Sequence, residues 1–177
     1  MQKRTIISQP KSEEDREQMM KHYESSVLIH ADPKDVFAVV NEHASISSHM
    51  NKSSWMMGGG KMETKLDKDK GQKIGSHIKM SGKILGINLF LDEVITHDDP
   101  PYHKAWQTVG EINLLVIGHY KMGLDITSQN GNSILKVNIE YELPRPRFTK
   151  ILGALFGGMY AKWCVDQMIQ DVKKNFV

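Results

Sequence analysis

The chain has 177 residues, 40% of them apolar and 25% charged, which suits one soluble globular domain with a substantial core. A formal charge of +2, with no run that interleaves arginine and aromatic residues, leaves no footprint for nucleic acid. One cysteine, Cys164, excludes an internal disulfide framework and a multi-cysteine zinc site, and is expected to act as a small buried hydrophobe.

No stretch approaches the roughly 18 apolar residues of a membrane span, and the first residues lack the apolar core of a secretory signal, so a cytoplasmic location is expected. Residues 1–22 read as an N-terminal extension. Within it Ser12-Glu13-Glu14-Asp15 resembles a capping box that could start a short helix from Glu13 to Met20. The domain proper is expected over residues 23–177. Its first strand runs from Tyr23 to Ala31 and stops at Asp32-Pro33, where Asp32 suits an N-cap and Pro33 a first helical position. A helix follows to about Asn41. Ala44 to Met50 suits a second short helix, before a loop with Trp55 and Gly58-Gly59-Gly60.

From Lys61 the apolar period becomes two, the signature of strands with one buried face. Strands are predicted from Lys61 to Asp67, Ile74 to Leu85, Ile87 to His97, Tyr102 to Val109, Leu115 to Ser128 and Ser133 to Leu143. The last of these alternates Leu135, Val137, Ile139, Tyr141 and Leu143 with polar residues. Asn130-Gly131 before it is the preferred hairpin turn, so the last two strands should be antiparallel neighbours. Short connections among the six strands imply an antiparallel meander.

The chain closes on one long helix from Thr149, read as its N-cap, to Phe176, roughly 40 Å long. Its sheet-facing stripe is read as Ile151, Ala154, Gly158, Ala161, Val165, Met168, Ile169, Val172 and Phe176. Large residues fill the C-terminal half and small ones the N-terminal half. Such a stripe predicts a space beneath Ala154, Gly158 and Ala161, with ordinary tight packing as the alternative. Leu152, Phe156, Met159, Tyr160 and Trp163 fall on the opposite side, as a patch that the extension, a loop or a second copy would cover.

Four stretches in this order resemble the START and birch-pollen-allergen superfamily, the helix-grip or SRPBCC proteins, and the polyketide-cyclase-like branch in particular. They are Ser26 to Phe37, Gly71 to Ser76, Glu93 to Pro101, and Gly157 to Trp163. The resemblance implies an α+β fold, with a curved seven-stranded antiparallel sheet gripping the long helix and two short helices after the first strand. It also implies an apolar cavity between sheet and helix.

Strand alternation nominates walls for that cavity: Ile78, Met80, Val137, Ile139 and Tyr141, joined by Tyr120 and Met122 if Gly118 shares their face. Ala154, Gly158, Ala161 and Val165 would close it from the helix. Polar groups could come from Tyr120, Tyr141, Trp106 and one of Asp92 and Glu93. Those two carboxylates point to opposite faces, so one would be buried unless the strand has reached the rim there. The rim, with both groups wet, is the preferred reading. The catalytic candidates are therefore Asp92, Glu93, Tyr120 and Tyr141.

Eight scattered histidines form no metal-ligand motif, and no phosphate loop, serine triad or cofactor fingerprint is present. Lys61, Lys65, Lys68, Lys70, Lys73, Lys79 and Lys83 mark a mostly outward basic face, read first as a solvated face with edge protection by lysine and alternatively as a contact for anionic membrane lipid. The expected partner is a small hydrophobic molecule (lipid-, polyketide- or quinone-like), bound by a carrier. A cyclase or dehydratase using a cavity carboxylate or tyrosine is one alternative, and a protein-interaction module using the helix patch is another. The chain is expected to be a monomer or homodimer.

Overall fold

A computed structural model describes residues 20–42, 62–84, 86–145 and 147–176. The expected helices at 13–20 and 44–50, the Trp55 loop and Lys61 lie outside these residues.

Strand β1 (Lys21–Ile29) leads into helix α1 (Pro33–Asn41), where Asp32 takes the N-cap position in extended geometry and Pro33 opens the first turn. Asp32 caps without its side chain; its carbonyl receives the amides of Asp35 and Val36 at 3.0 and 3.1 Å. There follow β2 (Met62–Leu66), β3 (His77–Ile84), β4 (Ile87–Asp99), β5 (His103–Asn113), β6 (Tyr120–Gln129) and β7 (Asn132–Tyr141). Helix α2 (Arg147–Lys173) ends in a 3₁₀ turn, Lys174–Phe176.

The seven strands form one antiparallel sheet in the order β1-β7-β6-β5-β4-β3-β2. Its inner face reads directly from the alternation. Leu135, Val137, Ile139 and Tyr141 are buried on β7, and Leu124 and Ile126 meet them from β6. Asn130 and Gly131 have φ of 50° and 76°, and two positive values in a two-residue loop match the twist of the flanking strands.

The starts of β3 and β6 are displaced from the sequence reading. Ile74 is 65% exposed, in a turn rather than in β3. The Asp67 carboxylate organises that turn by accepting from Ser76 Oγ at 2.6 Å, His77 N at 2.8 Å and Asp69 N at 3.0 Å. These bonds hold the Asp67 carboxyl below its usual range. Gly71 is required here, with φ at +73° and Ile78 Cδ1 only 2.7 Å from where a Cβ would stand. Likewise β6 begins at Tyr120, not Leu115. Residues 114–119 form a connection tied to the end of β7 by Gly118 N to Glu142 O (2.7 Å) and Glu142 N to His119 O (2.8 Å).

Helix α2 starts at Arg147, so Thr149 lies inside it rather than at its cap. Its C-terminal half packs as expected, burying Ala161, Val165, Met168, Ile169 and Val172. The N-terminal half is turned by about one residue, roughly 100°. Ile151 is 62% exposed, and Ala154 and Gly158 face outward. Gly153 and Gly157 are the buried positions instead, and a Cβ on either would lie under 3 Å from the Val116 carbonyl. Backbone contact with a connection remote in sequence sets this face, and only glycine permits the approach.

The antiparallel order sorts the connections into two ends. The β3–β4 turn, the 114–119 connection and the start of α2 share one end; α1 and the β2–β3, β4–β5 and β6–β7 turns share the other.

Candidate functional site

One row of inner-face residues crosses five strands near the end where α2 begins. Glu93 on β4 pairs with Ile78 on β3 and with Thr108 on β5, and Tyr120 on β6 pairs with Tyr141 on β7. Thr108 joins the two halves. Its Oγ1 accepts from Tyr120 N at 3.0 Å and donates to Tyr120 O at 3.3 Å, fixing where that tyrosine leaves the strand. The Tyr120 hydroxyl then donates to Glu93 Oε1.

The structure corrects the rim reading of Asp92 and Glu93. Asp92 is the outward one, paired with His77 Nδ1 at 2.9 Å and with Lys79 Nζ at 3.7 Å. Glu93 is only 3% exposed, in the middle of a strand that continues to Asp99. Burial raises its carboxyl to about pH 7, against the opposing effect of donors from Tyr120 and the Trp106 indole; Asp92 adds a smaller push upward. Burial also drives the Tyr120 hydroxyl well above its ordinary range, and the neighbouring Glu93 charge adds to this.

Helix α2 supplies the facing side. Tyr160 and Cys164 are one turn apart and interact with each other, and both feel the Glu93 charge. Burial holds the Tyr160 hydroxyl protonated and pushes the Cys164 thiol up to about 12. Tyr160 thus turns toward the core rather than sharing the outer patch. Trp163 is likewise packed against the core, while Phe156 and Met159 remain outside with Ile151 and Leu155. Tyr141 is 2% exposed, and its hydroxyl sits 3.7 Å from the position of a Gly158 Cβ.

Of the expected wall residues, Ile78, Met80, Trp106, Tyr120, Met122, Val137, Ile139 and Tyr141 are buried on the sheet, and Ala161 and Val165 beneath α2. Ala154 and Gly158 are not placed there, for the reason given by Gly153 and Gly157.

Lys104 was missed. It lies on the inner face of β5, in step with Trp106 and Thr108, and is 3% exposed. Its Nζ donates to the Gly71 carbonyl at 2.8 Å and to Asn41 Oδ1, linking the β2–β3 turn to the end of α1. Desolvation lowers its pKa, and Asp98, its cross-strand partner, opposes that. Strict alternation from Trp106 would have found it. Elsewhere, an open depression of about 650 Å³ lies between Met62, Ser81, Lys83, Leu89 and Phe90, away from the Glu93 row. No cluster of potential metal ligands occurs among the described residues, and no helix among them is long and apolar enough to cross a membrane.

The architecture is a helix-grip fold, a curved antiparallel sheet wrapped against a long C-terminal helix. Solved structures that share it include the Zhui aromatase/cyclase from Streptomyces sp. R1128, at TM-score 0.64 and 11% identity over 88% of this chain and 93% of that one. Norcoclaurine synthase from Thalictrum flavum, in complex with dopamine and hydroxybenzaldehyde, aligns at TM-score 0.58 and 16% identity over 97% and 95%. Ginseng major latex-like protein 151 from Panax ginseng aligns at 0.54 and 13% over 90% and 99%. At these identities the likeness is one of fold. No family model and no curated protein matches the sequence.

Proposed function

We propose that the chain binds a small, largely apolar molecule between the sheet and α2, and that Glu93 exchanges a proton with it. The observation that carries this reading is a fully buried carboxyl, raised to about pH 7 and held by a tyrosine hydroxyl. A group poised near the working pH is populated in both forms, as general acid–base catalysis requires. Protonated, Glu93 can donate to a carbonyl or departing hydroxyl oxygen; ionised, it can take a proton from a carbon beside a carbonyl. Tyr120 fixes the carboxyl, and the Trp106, Tyr141 and Tyr160 rings offer flat apolar contact. This chemistry is of the cyclase or dehydratase kind, and the neighbouring aromatase/cyclase and the synthase crystallised with two aromatic molecules support an aromatic occupant. A carrier would use the same interior without the proton step.

The two are separated by identifying, by mass spectrometry, what co-purifies with the native protein and incubating it in D₂O with wild type and with Glu93→Gln. Deuterium at a carbon of the ligand with wild type alone supports the enzyme. Incorporation at the background rate by both makes the chain a carrier.

A second reading concerns the outer surface. Lys65, Lys79 and Lys83 are exposed on β2 and β3, and Phe90 (41% exposed) stands on the same outward face of β4 opposite Ser81. Lys65 and Lys79 are direct cross-strand partners; Asp92 answers Lys79 at 3.7 Å, and Lys65 and Lys83 add positive charge to the same face. We infer weak contact with anionic membrane lipid at this face.

A further inference from the structure

We propose that the ligand selected by this interior carries a basic nitrogen, bound as an ammonium against Glu93 and the rings of Trp106 and Tyr120. The inference rests on the reading of Glu93 as the working group of the site and adds to it the charge of what the site takes.

Among the described residues the buried charged side chains are Glu93, Lys104 and Asp171. Asp171 is paired with Lys174 at 3.0 Å, near the far end of α2. Lys104 is committed to Gly71 and Asn41, and stands four residues along β5 from Thr108, roughly 13 Å from the Glu93 row. The groups that face Glu93 are Ile78 from β3, Trp106 and Thr108 from β5, Tyr120 from β6, and Tyr160 and Cys164 from α2. All are uncharged at neutral pH. Asp92, next on the same strand, is outside and already paired.

Around Glu93 the donors are therefore arranged for a carboxylate, while no countercharge stands among the described residues that face it. An indole N–H can only donate, and the Tyr120 hydroxyl is spent as a donor, so both serve the ionised form. A cation brought by the ligand completes the set. Aromatic faces on the same wall attract cations as well, and do so more strongly away from water. An anionic ligand meets the opposite: no free positive group among the described residues of this wall, a carboxyl it would force to stay protonated, and ring faces of negative potential.

A proton linkage follows. An ammonium binds the ionised carboxylate, so its binding expels the Glu93 proton. With Glu93 titrating at about pH 7, the ionised fraction rises about tenfold between pH 6 and pH 8. A protonated alkylamine keeps its charge throughout this range.

The test displaces an uncharged fluorescent reporter, N-phenyl-1-naphthylamine, with three compounds of matched shape: 2-(1-naphthyl)ethylamine, 2-(1-naphthyl)ethanol and 1-naphthylacetate. Expected at pH 8 are tenfold tighter binding of the amine than of the alcohol and no displacement by the carboxylate. The amine's advantage should shrink several-fold at pH 6 and vanish in Glu93→Gln. An amine no better than the alcohol, or a preference that survives Glu93→Gln, overturns the inference while bound reporter leaves the interior site standing. If the reporter does not bind, or Glu93 shows no titration near pH 7 by carbon NMR, the reading beneath it falls too. Should Glu93→Gln fail to fold, Tyr120→Phe replaces it. Loss of one donor moves the pH at which the amine preference appears upward, and an unmoved pH overturns the inference.

Discussion

Glu93 and Thr108 are cross-strand partners on β4 and β5, yet the hydroxyl that reaches Glu93 belongs to Tyr120, one strand further away. Thr108 spends its own hydroxyl on the Tyr120 backbone and so acts at one remove. Thr108→Val keeps the shape and removes that tether. A loss of about 1–2 kcal/mol is expected in urea unfolding, together with an upward shift of the Glu93 titration as Tyr120 loosens. A Glu93 titration identical to wild type would show that Tyr120 needs no such anchor.

The Glu93 carboxyl imposes a pH dependence on stability. Its pKa is raised on folding from 4.5 to about 7, so the folded state holds the proton more tightly. The contribution is complete below about pH 4.5 and is lost as pH rises through 7, a change on the order of 3 kcal/mol. Glu93→Gln cannot ionise. Its stability relative to wild type should therefore climb between pH 5 and pH 8, which denaturant titrations at the two pH values would measure. A difference that stays flat contradicts the burial of an ionisable group there.

Adjacent glycines of α2 should respond oppositely to alanine. Gly157→Ala drives a Cβ to 2.9 Å from the Val116 carbonyl, backbone that cannot step aside cheaply, and should cost about 1–3 kcal/mol. Gly158→Ala meets only Tyr141 Oη at 3.7 Å and should stabilise by up to about 1 kcal/mol through helix propensity. Thermal melts of the two variants decide this, and equal effects would return α2 to the face predicted from its apolar pattern.

Lys104→Met removes the donor shared by Gly71 O and Asn41 Oδ1 while keeping the length of the side chain. Buried acceptors left unpaired cost about 1–3 kcal/mol. Hydrogen exchange should quicken in the 67–76 turn and the last turn of α1 ahead of the rest of the chain. Uniform exchange would argue against a local tie.

Lys65, Lys79 and Lys83 changed together to glutamate should weaken sedimentation with phosphatidylserine vesicles, and added salt should erase the difference. A parent protein that ignores such vesicles at low salt removes the membrane contact.

What the sequence made legible follows the range of the forces involved. The inner face of β7 was readable because alternation is a property of adjacent residues, and Asn130-Gly131 because a turn is decided by its own φ angles. Glu93 was misjudged because its strand was taken to have reached the rim of the sheet there, whereas β4 stays paired through Asp99 and keeps Glu93 central. Lys104 escaped notice because what compensates its buried charge, two acceptors and Asp98, lies elsewhere in the chain. The roll of α2 was out of reach, since it depends on the carbonyl of Val116, in a stretch read as strand.

Among the described strands β1 pairs with β7 alone, with Ile29 opposite Ser133, so a strand made early waits for one made late. Helix α2, with Tyr160 and Cys164, is made later still. Until it docks, the row through Glu93 lies open to water and Glu93 is an ordinary ionised carboxylate. The poised acid is thus a property of the sheet only once α2 is packed on it: a product truncated before Arg147 would display the same residues on a wet sheet face, with an exposed apolar surface and none of the proton affinity.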